Sequence, residues 1–274
     1  MDELYKFRKE AEFRRFSPRT IETYEGCLRK FFEAVRKDYR EITKKDVREF
    51  LEELQARKVA GGTMHVYLNA IKFFFEGIMH RNFRIDIKYS RRPKKIPVFL
   101  NKEEVKRMLE EVHNLKHRLI IEVLYGGGLR VSELINLKVK DIEINKGYGF
   151  VREGKGGKDR IFVLSKVVQD KLKNLIEIEK LEKQNFVFIT NRKWKYSDES
   201  VREIIKKAAK FAGINKKIGC HTLRHSFATH QIENGYSLNE VQAMLGHKSP
   251  ETSMIYVHMA SPNMLNIKSP LDSL

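Results

Sequence analysis

Apolar positions in the first 90 residues recur three or four apart, the period of a helix that buries one face. Ile21, Tyr24, Leu28, Phe31, Phe32 and Val35 form one such stripe. Ser17-Pro18 precedes it with an N-cap and a proline suited to the first helical position. Thr43 and Asp46 have capping-box spacing and lead into Val47, Phe50, Leu51 and Leu54. Gly61-Gly62 reads as a break, after which Thr63 caps a third helix carrying Tyr67, Leu68, Ile71, Phe74, Phe75 and Ile78. The aromatic residues of these stripes read as core.

The period is lost over residues 84–99, where Arg91-Arg92-Pro93-Lys94-Lys95-Ile96-Pro97 combines charge with two helix-opposing prolines. Asn101 and Glu104 form a second capping-box pattern, followed by Val105, Met108, Leu109 and Val112 on one face. A buried helix is predicted over Leu119 to Leu124. Gly126-Gly127-Gly128 then permits a tight turn and a close backbone approach, and another helix begins near Val131. Residues 148–151 and 160–164 alternate around Gly154-Lys155-Gly156-Gly157-Lys158, which predicts a β-hairpin with a flexible tip. Phe186 to Ile189 reads as a short strand. Helices are predicted at about 198–212, 222–234, 238–245 and 250–260, with Ser237/Glu240 and Ser249-Pro250 as start signals. The pattern predicts a mainly α chain with a small β-sheet. It divides into a helical domain at 1–90, a basic linker at 91–97 and an α+β domain at 98–274 with a tail at 261–274.

Composition adds a partner class. Hydrophobic residues make up 41% of the 274, enough for real cores, yet Lys and Arg exceed Asp and Glu by 54 to 36. A net charge of +18 points to a polyanion, most often nucleic acid, although ribosomal, membrane-surface and solubilising roles also fit the charge. Arg91, Arg92, Lys94 and Lys95 are candidates for contact with a nucleic-acid backbone running past the linker. Cys27 and Cys220 lie far apart and outside any CxxC pair, as expected of buried free thiols in a reducing compartment. No apolar run approaches the roughly 20 residues that span a bilayer, and the charged start from Asp2 is unlike a signal peptide. The expected location is cytoplasmic, without a membrane partner.

Six residues of the second domain form an ordered series: Arg130, Lys155, His221, Arg224, His247 and Tyr256. Phosphodiester cleavage needs a nucleophile, cations on the non-bridging oxygens and an acid for the leaving group. Arg130 and Arg224 suit the cationic role, because a guanidinium stays charged and grips two phosphate oxygens through its planar fork. Glu133, three residues beyond Arg130, shares its helix face and would orient it. His221 and Arg224, also three apart, present both groups from one helical turn; His225 and His230 read as structural or solvated. Tyr256 is a candidate nucleophile whose phenol needs cationic neighbours or a base. His221 would assist proton removal and His247 would hydrogen-bond the phosphate. Lys155 sits at the hairpin tip between glycines, and because Lys158 and Arg160 are close by and equally basic, surface charge is the alternative reading there. The sequence has no HExxH, no clustered cysteine site, no nucleophile elbow and no Walker loop, so the expectation is chemistry with neither metal nor cofactor.

Gly128-Leu129-Arg130-Val131-Ser132-Glu133-Leu134, Gly-Lys-Gly-Gly-Lys at 154–158, His-Thr-Leu-Arg at 221–224, Leu-Gly-His at 245–247 and Tyr256 together resemble the tyrosine recombinases of the phage integrase family, most closely the Xer-type branch. The likeness is specific over 126–160 and 219–258 and weak over 1–90. It implies an N-terminal SAM-like core-binding domain and a catalytic domain clamped around double-stranded DNA. It selects Lys155 as the general acid and Tyr256 as the residue that forms a 3′-phosphotyrosine link. Four protomers would self-associate as a tetramer on paired recombination sites. The short chain, without room for an arm-binding domain, favours chromosome dimer resolution over integration of a mobile element. A type IB topoisomerase and a non-catalytic DNA-binding protein are the alternatives. The tail at 261–274 reads as a flexible end or one packed on its own domain, whereas the resemblance implies that it passes to a neighbouring protomer.

Overall fold

The computed structural model describes residues 2–81, 98–154, 158–246 and 269–273. The chain divides into two compact units, Met1–Lys95 and Ile96–Leu274.

The first unit is helical: α1 (Asp2–Phe13), α2 (Pro18–Val35), α3 (Lys44–Ala56) and α4 (Gly61–Lys72), the last continuing into a π-helical turn over Phe73–Ile78. Ser17 caps α2 by accepting from the Thr20 amide, and Thr43 with Asp46 forms a reciprocal capping box on α3. Ile21, Leu28, Phe31, Val47, Phe50, Leu51, Tyr67, Leu68, Ile71, Phe74 and Phe75 fill the core as the stripes predict. Phe31 meets Phe50 edge-on with ring centroids 5.1 Å apart. In the wide last turn the Met79 amide reaches back to the Phe74 carbonyl at 3.1 Å, and the adjacent Phe74 and Phe75 are both buried. The start of α4 differs from the sequence reading. Gly61 and Gly62 lie inside the first turn, Ala60 is the N-cap residue, and Thr63 is not. First-turn amides need no intrahelical acceptor, so glycine there does not break a helix.

The second unit is built around α6 (Leu115–Gly126), whose residues Leu119 to Gly126 are all buried. Against it pack α5 (Lys102–Glu110), α7 (Val131–Ile135), α8 (Lys166–Glu179), α9 (Asp198–Phe211) and α10 (Cys220–Glu233), with α11 (Leu238–Leu245) seated on α10. A three-stranded antiparallel sheet runs β1 (Ile142–Glu143), β2 (Tyr148–Gly154), β3 (Lys158–Val163). β2 and β3 form the expected hairpin, with Phe150 opposite Ile161 and Val151 opposite Arg160, and an irregularity between Val151 and Gly154. Gly149 is required by packing, since a Cβ there would lie 2.5 Å from the Phe162 ring.

Two further differences from the sequence reading arise, the second shared with the first unit. Phe186 to Ile189 is not a strand: Phe186 bridges Lys138 and Ile189 bridges Lys195, so its partners belong to separate segments and no ladder forms. Helices α1 and α8 were not read from the sequence, although Ser165 caps α8 and Val168 and Leu172 have the spacing of its buried face. The buried Glu122 on α6 is paired with Arg118, 3.2 Å away, and with Lys171 of α8. Both thiols are buried and free, and burial pushes each up from its ordinary value. Among the described residues, no helix is long and apolar enough to cross a membrane.

Candidate active site

Arg130, Glu133, His221 and Arg224 are described, and they converge. Arg130 is the N-cap residue of α7, and Glu133 stands three residues on. The Glu133 carboxylate accepts from the Arg130 amide at 2.8 Å and from Arg130 Nη1 at 2.6 Å, the orienting contact their spacing predicts. Among the described residues, Nε and Nη2 of Arg130 make no hydrogen bond, so that edge of the fork is available to an anion.

Arg224 points inward from α10, with only 4% of its surface exposed. Its Nη1 donates to the Gly128 carbonyl at 2.6 Å and its Nη2 to the Leu245 carbonyl at 2.5 Å. Gly128, at φ +58°, makes this contact possible: a Cβ there would lie 2.7 Å from the Phe227 ring. The close approach anticipated at the glycine triplet is thus used by the protein's own helix α10. Burial, followed by the charges of Arg130 and Arg160 and against the pull of Glu133, brings the Arg224 guanidinium down to about 9, which leaves it cationic at neutral pH.

His221 is exposed on the first turn of α10. Desolvation by its surroundings, then His225, Arg224, Arg130 and Arg202, lower its pKa, so the neutral imidazole that can accept a proton is favoured. His225 is exposed on the same helix. His230 is buried, and its Nδ1 lies 2.7 Å from the Tyr125 hydroxyl.

The residue whose place the sequence reading missed is Arg160. It stands near the hairpin tip in sequence, where it reads as surface charge, yet its side chain is 3% exposed. Its Nη2 lies 2.5 Å from Glu133 Oε2 and its Nη1 donates to the Met244 carbonyl at 3.0 Å. The signal was present in the alternation that runs along β3 and into the next residue, since Arg160, Phe162 and Leu164 are all buried. Burial opposes the Glu133 charge, but Arg160 and Arg130 outweigh it and hold the carboxyl below its ordinary value.

α11 completes the arrangement. Its last carbonyls have no acceptor role within the helix, and Met244 and Leu245 offer theirs to Arg160 and Arg224. Gly246 then turns the chain at φ +64°, and its amide closes on Ala243 and Gln242. Arg130, Arg160 and Arg224 thus surround one carboxylate, Glu133, beside a near-neutral imidazole, His221. That excess of fixed positive charge suits a phosphate oxygen and the charge that develops on it during substitution at phosphorus. Among the described residues, no group of three His, Cys, Asp or Glu is placed to hold a metal ion.

Lys155, His247, Tyr256, Arg91, Arg92, Lys94, Lys95 and residues 261–268 of the tail lie outside the described residues, as does the helix predicted at 250–260. The described end of the chain packs on its own unit: the Ser269 hydroxyl donates to the Gly126 carbonyl at 3.2 Å, and Leu271 is buried in the core.

Comparison with known proteins agrees with this geometry. Residues 98–262 match the phage integrase family, and residues 4–85 match the phage integrase N-terminal SAM-like domain. Tyrosine recombinase XerA of Pyrococcus horikoshii is 35% identical over 268 residues, covering 96% of this chain and 91% of that one. The crystal structure of XerA recombinase superposes with a TM-score of 0.54 at 28% identity, covering 97% of this chain and 96% of that one. XerH site-specific recombinase bound to difH substrate superposes with a TM-score of 0.68 at 27% identity, covering 90% and 77%. The chain therefore belongs to the phage integrase family, as a Xer-like tyrosine recombinase.

Proposed function

We propose that this chain recombines double-stranded DNA at specific sites by cutting and rejoining strands through Tyr256. The observation that carries the reading is the convergence of Arg130, Glu133 and Arg224 on one point beside the end of α11, directly ahead of His247 in the chain. Arg130 and Arg224 bind the non-bridging oxygens of the scissile phosphate, and His221 accepts the phenolic proton as Tyr256 Oη attacks phosphorus. Lys155 protonates the departing 5′ oxygen, and His247 hydrogen-bonds the phosphate. A 3′-phosphotyrosine link remains, which the 5′-hydroxyl of a partner strand attacks to restore a phosphodiester and release the tyrosine. Bond energy is conserved, so the cycle needs no ATP, and each role is filled by a side chain of the protein without metal or cofactor.

The N-terminal unit, at 1–90, serves as the core DNA-binding domain, the basic stretch at 91–97 follows the DNA backbone, and residues 98–274 hold the catalytic machinery. The net charge of +18 and the relative solved on its DNA substrate support a duplex partner. Four protomers act on two paired sites. The Xer-type likeness favours chromosome dimer resolution in the cytoplasm over mobile-element integration.

The test is incubation with nicked suicide duplexes carrying candidate sites. A covalent adduct should form at Tyr256 and vanish in Tyr256→Phe, which should still bind. An adduct surviving in that variant at another tyrosine would overturn the assignment, and no adduct from the native chain would favour a non-catalytic DNA-binding protein. Relaxation by monomers without Holliday junctions on paired sites would favour a topoisomerase.

A further inference from the structure

We propose that Arg160 is a positioning residue for the two phosphate clamps: by joining Glu133 to the end of α11 it sets where Arg130 and Arg224 stand. The inference rests on the recombinase reading above and assigns to that site a residue outside the catalytic series.

The fork of Arg160 reaches a carboxylate and a main-chain carbonyl. One nitrogen meets Glu133 Oε2 at 2.5 Å and another donates to the Met244 carbonyl at 3.0 Å. Each contact adjoins a contact made by a clamp. The other oxygen of the same carboxylate, Oε1, holds Arg130 Nη1 at 2.6 Å. The next carbonyl along the chain, that of Leu245, holds Arg224 Nη2 at 2.5 Å. A single planar group on β3 therefore ties α7 to α11 at the two places where the clamps are fastened.

Charge makes the tie consequential. Arg130 and Arg224 repel one another, and Arg224 Nη1 lies 3.9 Å from Glu133 Oε2, close enough to compete for it. With Arg160 on Oε2, the carboxylate keeps Oε1 toward Arg130. Without it, Oε2 keeps the Arg130 amide at 2.8 Å but loses its shortest partner, and a turn of the carboxylate toward Arg224 would loosen Oε1 from the Arg130 guanidinium. A lysine cannot substitute, because a point charge lacks the fork that spans a carboxylate and a carbonyl together.

The Leu-Gly-His motif carries a matching feature. A Cβ on Gly246 would lie 2.7 Å from Arg160 Cδ. Glycine there closes α11 and also leaves the passage through which the Arg160 stem reaches Glu133.

The test compares cleavage of an ordinary scissile phosphodiester with cleavage of a methylphosphonate at the same position. Replacing a non-bridging oxygen by methyl removes the charge the clamps neutralise, so a displaced clamp should matter less. Arg160→Ala and Arg160→Lys are followed by single-turnover adduct formation, site binding and thermal unfolding, with Arg130→Ala as reference. Arg160→Lys keeps the charge and the stem and carries the test where alanine unfolds the chain. Expected are near-native binding, a loss of phosphodiester cleavage on the order of 10²-fold, and a markedly smaller loss on methylphosphonate, in parallel with Arg130→Ala. An equal loss on both substrates, or native cleavage by Arg160→Lys, would overturn the positioning role alone. A native chain that forms no adduct with either duplex would overturn the recombinase reading, and the positioning role with it.

Discussion

The Arg224 guanidinium donates to the main-chain carbonyl of Leu245, 2.5 Å away, and so fastens helix α10 to the end of α11. Two short motifs that stand 21 residues apart, His-Thr-Leu-Arg and Leu-Gly-His, thereby become one structure. The same side chain reaches the Gly128 carbonyl at 2.6 Å, beside the Arg130 motif. A buried guanidinium held by two carbonyls is costly to remove from the fold and well fixed in place, as the proposed clamp on phosphate requires.

Both clamps should act on the transition state more than on binding. Arg130→Ala or Arg224→Ala is expected to slow adduct formation by about 10²–10³-fold, the usual effect of deleting one oxyanion donor, while a gel-shift assay records little loss of site binding. Equal losses in binding and cleavage would argue for a purely anchoring role.

Gly128→Ala should destabilise the second unit. A side chain at φ +58° costs roughly 1–2 kcal/mol. The new Cβ also meets the Phe227 ring at 2.7 Å and Leu245 at 3.0 Å, and overpacking of this kind costs about 1–3 kcal/mol. Denaturant unfolding should show a lowered midpoint with an unchanged slope. An unchanged midpoint would mean that this turn is free to relax.

Stability should fall on mild acidification. Burial lowers the pKa of His230 below the ordinary 6.5, and its Nδ1 stands 2.7 Å from the Tyr125 hydroxyl. The unfolded chain therefore takes up the proton first. The stabilising contribution is present above about pH 6.5 and is lost as pH falls toward the folded value. His117, His221 and His225 shift in the same direction. Melting temperature should decline from pH 7.5 to 5, and His230→Gln should flatten the decline. A slope unchanged by that substitution would exclude His230 as a contributor.

The proposed mechanism gives Lys155 the leaving-group proton. A duplex with a 5′-bridging sulfur should therefore rescue cleavage by Lys155→Ala, because a thiolate departs without one. Rescue of Lys158→Ala in its place would move the role three residues along the hairpin.

Binding should weaken steeply with salt. A chain of net charge +18 that wraps a duplex releases counterions from each phosphate it neutralises. Neutralising Arg91, Arg92, Lys94 and Lys95 should reduce affinity alike for specific and unrelated sequences, as backbone contacts do. Affinity that is flat with salt would argue against a clamp around DNA.

Much of the fold was legible because it is local. The apolar stripes of α2, α3 and the run ending at Ile78 follow the helical period, and capping boxes at Thr43/Asp46, Asn101/Glu104 and Ser237/Glu240 form from residues three apart. The alternation flanking residues 154–158 was enough for the hairpin. Within the site, the nearness of Arg130 to Glu133 and of His221 to Arg224 needed only one helical turn. Tertiary structure decided the rest, because those contacts join residues far apart in the chain. A basic residue near a hairpin tip reads as solvated charge, and only the packing of β3 against α7 and α11 makes Arg160 a buried partner of Glu133. Gly61-Gly62 reads as a break, but the unpaired amides of a first turn tolerate it. Phe186 to Ile189 has the composition of a strand, yet a strand needs a continuous partner, and the fold supplies only separate single bridges. Spacing within one element is set by backbone geometry and can be counted along the sequence. The meeting of distant elements is set by the burial of their joint surfaces, which no local pattern encodes.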